Sequence, residues 1–225
     1  MSIELLRALS KAGNYVAAAF DGSELVGACF GFFTAPHTGA LHSHVAAASP
    51  TTVGRHVGYA LKLHQRAWTL RHGVGMIEWT FDPLIARNAY FNIGKLGGRP
   101  AEYLPNFYGG MTDGINAGDD SDRLLLRWNL DAPEVAAACA GVPQVADIRA
   151  LPEALGRSDN GPVEGKSSGE LVLVAVPTDV ERLRVTDPGQ ARQWRKAVRE
   201  VLGGLLADGA QVIGFDRGGW YVVRR

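Results

Sequence analysis

This chain has few of the features that mark secreted, membrane-spanning or nucleic-acid-binding proteins. Its 225 residues include two cysteines, Cys29 and Cys139, in apolar or alanine-rich surroundings. We expect reduced, packed thiols rather than a disulfide framework or a zinc site. Lysine plus arginine and aspartate plus glutamate number 23 each, so there is no basic excess to suggest nucleic acid or an anionic membrane as a partner. No apolar run approaches the roughly 18 residues of a membrane span.

Several catalytic motifs are also missing. The chain has no Gly-x-Ser-x-Gly elbow, no Gly-Lys-Ser/Thr phosphate loop and no clustered metal-ligand spacing, so we expect no metal. Its first residues, MSIELLRALSKAGN, have no signal-peptide core, which favours a cytoplasmic location. The balance of 46% hydrophobic and 20% charged residues is typical of a soluble globular protein.

The segment Leu41 to Trp68 has the pattern of an anion site. A short apolar strand, LHSHVAAA, ends at Ser49-Pro50, and a glycine-rich turn leads into a helix that begins near Arg55. The first N–H groups of a helix lack internal partners, and the helix dipole adds partial positive charge there. Gly54 and Gly58 allow the backbone to approach a phosphate closely. The pattern therefore predicts a cradle for a pyrophosphate.

Periodicity and turn residues predict alternating helices and strands before a change in composition near residue 131. The expected elements are a helix at Ile3–Ala12, strands at Tyr15–Phe20, Leu25–Phe33 and Leu41–Ala47, the helix after Arg55, a buried strand at Met76–Phe81, a helix capped by Asp82 with Pro83 at its first position, a strand at Glu102–Tyr108 and a strand at Arg123–Leu130.

The chain is expected to have three parts. Residues 1–130 would form the main domain and 131–169, rich in Ala, Pro, Gly and Ser, a partly ordered linker with a short helix near Pro133–Ala140. Residues 170–225 would form a small β-α-β-β unit that packs on the first domain or on a partner.

This order of elements over about Ile3 to Leu130 resembles the GNAT superfamily of acyl-CoA-dependent N-acyltransferases. The segments GRHVGYALKLHQRAW, EWTFDPLIARNAYFNIGKLG and NFYGGMTDGINAGDDSDR resemble a narrower group of predicted acyltransferases, some related to enzymes that acylate amino acids, with succinyl-CoA as one donor. The resemblance implies a mixed α/β (α+β) fold with a central mixed sheet flanked by helices. The family's first strand has no counterpart here, and the C-terminal unit is a candidate to cover the sheet edge left exposed.

The family's phosphate motif, [Gln/Arg]-x-x-Gly-x-[Gly/Ala], fits this chain in two registers. One runs from Arg55 through His56, Val57, Gly58 and Tyr59 to Ala60, and the other from Val53 to Gly58. Both place the same peptide amides beside the pyrophosphate, and the register stays open. The resemblance further implies that the strand before the turn offers backbone N–H groups to the pantetheine arm, here at Val45, Ala46 and Ala47.

The second helix supplies the family's thiolate donor, a tyrosine four residues before its closing glycine. That position holds Ile93 here, and Tyr90 lies one turn earlier as the candidate acid, with core packing as the alternative. On the same helix, Asn88 is a candidate for the amides of coenzyme A and Phe91 for the pantetheine.

Two histidines, His42 and His44, share one face of the predicted strand. An imidazole titrates near neutrality and is able to accept a proton from an amine, directly or through water. His44 is preferred as the base and His42 is assigned to substrate binding; the alternative is a pair of packing histidines.

A long polar loop between Asn106 and Arg123 has the composition of a specificity loop. Its candidates for an amino-acid head group are Tyr108, Asp113, Asn116 and Arg123, with the guanidinium forking a carboxylate. The alternative is a surface loop with internal Asp–Arg pairs.

The sequence therefore favours an acyl-CoA-dependent N-acyltransferase that moves an acetyl or succinyl group to a small-molecule amine, with an amino acid as one acceptor. Acetyl-CoA or another acyl-CoA is the expected co-substrate, and a homodimer is the oligomer considered. The alternatives are a non-catalytic CoA-binding or dimer-scaffold module of the same fold, and a protein with an unrelated nucleotide in the cradle.

Overall fold

The computed structural model describes residues 2–109, 119–142, 148–166 and 168–225. The strands are β1 (Tyr15–Asp21), β2 (Glu24–Phe33), β3 (Leu41–Ala48), β4 (Met76–Phe81), β5 (Arg99–Leu104), β6 (Arg123–Asn129), β7 (Glu153–Ser158), β8 (Gly161–Glu164), β9 (Leu171–Ala175), β10 (Gln211–Asp216) and β11 (Trp220–Arg224).

The helices alternate with the strands in the first half and cluster before the last hairpin. The α-helices are α1 (Ile3–Lys11), α2 (Val57–Arg71), α3 (Ala86–Ala89), α4 (Pro133–Cys139), α5 (Val180–Thr186), α6 (Pro188–Val198) and α7 (Gly204–Ala207). A 3-10 turn spans Pro50–Thr52, and π-helical segments at Tyr90–Lys95 and Arg199–Gly203 continue α3 and α6. The described helices include none that is both long and apolar enough to cross a membrane.

Two mixed sheets organise these elements, and the mixed α/β class is confirmed. The first has the strand order β1-β2-β3-β4-β6-β5, and the second has the order β10-β11-β9-β7-β8. In the first sheet β1, β2 and β3 run antiparallel, and β3 runs parallel to β4. A parallel pair needs a crossover, which α2 supplies.

The chain divides into two compact units, and boundaries between them fall inside β4 and β6. One unit comprises Met1–Trp79 and Trp128–Ala132, and its core includes the fully buried side chains of Leu41, Ile77 and Trp128. The other comprises Thr80–Arg127 and Pro133–Arg225, and its core includes Ile93, Leu126 and Tyr221.

The stretch 131–169 contains more regular structure than its composition indicates. Besides helix α4 it carries strands β7 and β8, which pair antiparallel, and β7 pairs in parallel with β9. The sequences EALGRS and GPVE lack a period-two apolar pattern, so their pairing partners determine the strand conformation. The three-part division of the chain stays a prediction, as does a C-terminal cover for the edge strand β1.

Two predicted elements need correction. The second helix begins at Ala86 rather than at Pro83, because Asp82 closes a tight turn instead of capping a helix: its Oδ1 accepts the Leu84 N–H at 2.9 Å. The predicted strand Glu102–Tyr108 is instead Arg99–Leu104. It ends before Asn106, whose φ of 43° is incompatible with extended backbone.

Candidate active site

Strand β3 loses its β4 neighbour partway along its length. The two strands pair at Leu41 with Ile77 and at His42 with Glu78, and no later pair forms between them in the described residues. On its other side β3 stays paired with β2 as far as Ala48. The backbone from His44 onward therefore has one open edge, and the side chains from His44 to Ala48 are exposed. An open edge offers unpaired backbone N–H and C=O groups to an extended ligand.

A β-bulge marks the point where this edge opens. Phe30 pairs with Val45 and Gly31 pairs with Ser43, so His44 is the extra residue on β3. Bulges bend a strand and re-aim a side chain, and they are common beside active sites. The bulge places His44 at the start of the open edge.

The two predicted histidines share one face of β3, as the alternation requires. Their ring centroids lie 6.1 Å apart, and both rings contact Phe32. Ser43, between them in sequence, is buried on the opposite face. His42 is half-buried and His44 is exposed.

Glu78 is a candidate residue that sequence reasoning missed. It is the register partner of His42 across the short parallel pairing, and both side chains are half-buried. Partners in register project to the same face, so the side chains of His42 and Glu78 extend from the same face of the sheet. The available signal was a single carboxylate inside the apolar run MIEWTF. Only the pairing register connects it to His42.

His42 is held in a form suited to accepting a proton. Burial lowers its pKa first, and the positive charges of His44 and Lys62 lower it further. The imidazole is therefore neutral at neutral pH, with a free lone pair on one ring nitrogen.

The predicted cradle is the turn between the 3-10 segment and helix α2. His56 precedes the helix in the left-handed region, with a φ of 59°, and its side chain caps no backbone N–H. Within the described residues, the N–H groups of Val57 and Gly58 meet no protein acceptor. A Cβ built at Gly54 or Gly58 would meet no atom within 4 Å, so the turn's outer surface is open. Tyr59 lies in the same first turn of the helix.

Arg55 is turned toward another partner. Its Nη1 donates to Asp21 Oδ2 at 2.8 Å, and both side chains are more than half exposed. An exposed ion pair of this kind is weak. A phosphate at the turn would have to compete with Asp21 for the guanidinium.

These features fit the diphosphate and pantetheine of an acyl-CoA. The amides of Val57 and Gly58 would take the diphosphate, and the free edge at Val45, Ala46 and Ala47 would take the amides of an extended arm. Among the described residues no group of His, Cys, Asp and Glu side chains is arranged to hold a metal ion.

The candidate residues of the second helix lie in the unit that comprises Thr80–Arg127 and Pro133–Arg225. Tyr90 begins the π-helical segment, and its hydroxyl accepts from Arg217 Nε at 2.8 Å. The guanidinium also lies 5.0 Å from the tyrosine ring. Asn88 and Phe91 are half-buried. Ile93, at the family's tyrosine position, is fully buried.

Two of the predicted acceptor-binding residues lie together. The Arg123 guanidinium is 5.2 Å from the Tyr108 ring, and the Tyr108 hydroxyl lies 3.1 Å from Thr80 Oγ1. Tyr108 is about half exposed, at 48%. Asp113 and Asn116 fall outside the described residues.

Solved N-acetyltransferases are similar to this chain in fold. The aminoglycoside 6'-acetyltransferase type Ii shares 18% identity at a TM-score of 0.45, over 57% of this chain and 77% of that one. The ribosomal-protein-S18-alanine N-acetyltransferase from Escherichia coli shares 14% at 0.48, over 59% and 79%. An aminoglycoside 6'-N-acetyltransferase complexed with coenzyme A shares 16% at 0.44, over 57% and 79%. These likenesses describe the fold alone.

A scan of protein-family models found no match, and a search of the curated proteins found none either.

Proposed function

We propose that this protein is an N-acyltransferase that moves an acetyl or succinyl group from acyl-CoA to the amine of a small molecule, with amino acids as the first acceptors to test. The observation that carries the proposal is the open edge of β3 after His42, which leads directly into a helix N-terminus with two unobstructed glycines. An extended thioester carrier needs both features: paired amides along its arm and an anion site for its diphosphate.

The proposed reaction is direct transfer within a ternary complex. The amine nitrogen bonds to the acyl carbon, the carbon–sulfur bond breaks, one proton leaves the nitrogen and one proton reaches the sulfur. His44 is the predicted proton acceptor, and His42, whose register partner is Glu78, is the second candidate for that role. Tyr90 is the predicted proton donor. Val45, Ala46 and Ala47 hold the arm, the Gly54–Tyr59 turn holds the diphosphate, and Asn88 and Phe91 are further cofactor contacts.

The first experiment measures thermal stability with acetyl-CoA, succinyl-CoA, NAD and ATP in separate samples. A ligand that binds only the folded protein raises the melting temperature. We expect a rise with the two acyl-CoA compounds and not with NAD or ATP. Thiol release is then measured against the common L-amino acids. A rise with NAD or ATP alone would refute the proposal.

A single substitution tests the anion site directly. In Gly58→Val the added Cβ would meet no protein atom within 4 Å, so the substitution adds bulk on the open surface of the turn, where it would obstruct a bound diphosphate. We expect acyl-CoA affinity to fall by more than about tenfold, or roughly 1.4 kcal/mol. Gly204→Val is the matched control, because Gly204 also lies in a helix with open space around its Cβ position. Equal affinities in the two variants would place the diphosphate elsewhere.

The rival proposal is a non-catalytic CoA-binding or scaffold module, and the second helix favours it. Ile93, at the family's tyrosine position, has no proton to donate and is fully buried. Stabilisation by acyl-CoA without thiol release across the acceptor panel would support this rival. A cytoplasmic location remains a proposal from the sequence, and a homodimer remains the oligomer considered.

A further inference from the structure

We call the polar loop between Asn106 and Arg123 the acceptor loop, because it carries the predicted acceptor contacts. The described residues at its base are held by hydrogen bonds around two buried residues, Ser121 and Asp122. Ser121 Oγ accepts from the Tyr108 N–H at 2.9 Å and donates to the Gly109 carbonyl at 2.9 Å. Asp122 Oδ1 accepts from the Asn106 N–H at 2.9 Å. The backbone on either side of Tyr108 is therefore fixed by the two residues that precede Arg123.

Asp122 is in turn held by an arginine far along the chain. Arg199 Nε donates to Asp122 Oδ2 at 2.9 Å and its Nη2 donates to Oδ1 at 2.6 Å, while the Tyr103 hydroxyl donates to Oδ2 at 2.7 Å. Burial acts to raise the pKa of Asp122, but these hydrogen bonds outweigh it and lower the pKa. The carboxylate is ionised and bidentately paired, which is the most directional form of ion pair.

Two further arginines, Arg184 and Arg195, form a buried cluster with Asp82 and with Asp119, three residues before Asp122. Arg195 Nη2 donates to Asp119 Oδ2 at 3.0 Å, and both Arg195 and Arg184 donate to Asp82. All four side chains are nearly fully buried. Arginines of the C-terminal helical segments therefore form ion pairs with the end of the loop at Asp119 and at Asp122.

Arg199 stands where the helix changes form. Helix α6 ends at Val198, and the π-helical segment begins at Arg199. A π-helical turn inserts an extra residue and rotates the helical residues after it, and such turns occur often at functional sites. Arg199 also donates to Asp120 at 2.6 Å, so one guanidinium bridges two carboxylates of the loop base.

We propose that Arg199 is a positioning residue for acceptor recognition: through Asp122 it sets where Tyr108 and Arg123 stand, and so it controls the affinity for the acceptor amine. The inference rests on the proposed function, with Tyr108 and Arg123 as the acceptor contacts that the sequence predicts. Arg199 is predicted to have no effect on acyl-CoA binding, since its ion pairs among the described residues are with Asp120 and Asp122 alone.

The test compares Arg199→Met with Lys196→Met, one turn earlier on the helical surface. Among the described residues, the one ion pair of Lys196 is an exposed 3.8 Å pair with Glu200. Amide hydrogen exchange gives the direct readout. We expect exchange at Asn106 and Tyr108 to accelerate by about tenfold or more in Arg199→Met and to stay unchanged in Lys196→Met. Unchanged exchange in both variants would overturn the inference.

Kinetics then separate positioning from a purely structural role. With the L-amino acid that the wild type turns over fastest, we expect the acceptor KM of Arg199→Met to rise about tenfold while the acyl-CoA KM stays within about twofold. Arg199→Lys should recover part of the loss, because it keeps the charge and loses the fork. Faster exchange with an unchanged acceptor KM would overturn this inference and leave the proposed function intact. A wild type that releases no thiol would instead refute the proposed function, and this inference with it.

Discussion

Replacing Lys62 by methionine should remove a rise in stability that the wild type shows between about pH 7 and about pH 9. Lys62 lies on helix α2, is 4% exposed and has no carboxylate partner among the described residues. Its Nζ donates to Ser43 Oγ at 2.8 Å and to Gln65 Oε1 at 3.1 Å, and it lies 3.7 Å from the centroid of the Trp79 ring. Burial lowers its pKa to about 8, with a small opposing effect from Cys29.

The direction of the change in stability with pH depends on whether the folded or the unfolded state binds the Lys62 proton more tightly. Because the pKa is about 8 in the folded protein against 10.5 for the free side chain, the folded state loses its proton first as pH rises. Between these values the unfolded chain binds more protons, so the free energy of unfolding increases with pH. The full shift corresponds to roughly 3 kcal/mol, and about 1.4 kcal/mol of it develops between about pH 7 and about pH 9.

The assay is urea unfolding at about pH 7 and at about pH 9, with tryptophan fluorescence as the probe of unfolding. Both proteins should carry Cys29→Ala, because burial raises the pKa of that thiol and its own titration would lower stability above about pH 8.5. Burial also raises the pKa of Tyr15, so its effect begins only near pH 10 and lies outside the window. Equal pH dependence with and without Lys62 would refute a buried, charged lysine at this position.

Three further predictions concern the proposed chemistry and the buried ion pairs. His44→Ala should lower kcat by about a hundredfold and flatten the acidic limb of the pH–rate profile, and an unchanged profile would remove His44 from the mechanism. Tyr90→Phe should lower kcat with little effect on KM if the hydroxyl protonates the thiolate; equal kcat values would leave Tyr90 a packing residue. Asp82→Asn should cost about 3 kcal/mol or more in urea unfolding, because Arg184 and Arg195 lose their shared carboxylate, and a loss below about 1 kcal/mol would contradict this. Hydrogen bonds and charge from these arginines overcome burial and lower the Asp82 pKa to about 2, so its contribution is present above about pH 4 and is lost as pH falls through about 2.

Local patterns predicted most of the first-half elements. The alternation in Leu41–Ala48 is sufficient to place His42 and His44 on one face, and the glycine-rich turn is sufficient to begin helix α2 close to Arg55. The same patterns failed at Asp82, where the residue order of a helix cap occurs in a tight turn. Capping preference is a local property, and the partners that hold Asp82 lie about a hundred residues away in the chain.

The sequence by itself determined the class of fold, the glycine-rich turn before helix α2 and the face on which the histidines lie, because each depends on residues within one or two helical turns or strand repeats. Tertiary structure alone decided that β3 parts from β4 after His42, that Glu78 is the register partner of that histidine, and that Arg199 holds Asp122. These features depend on pairing register and on burial between segments far apart in sequence. Neither is encoded in the periodicity of a single segment.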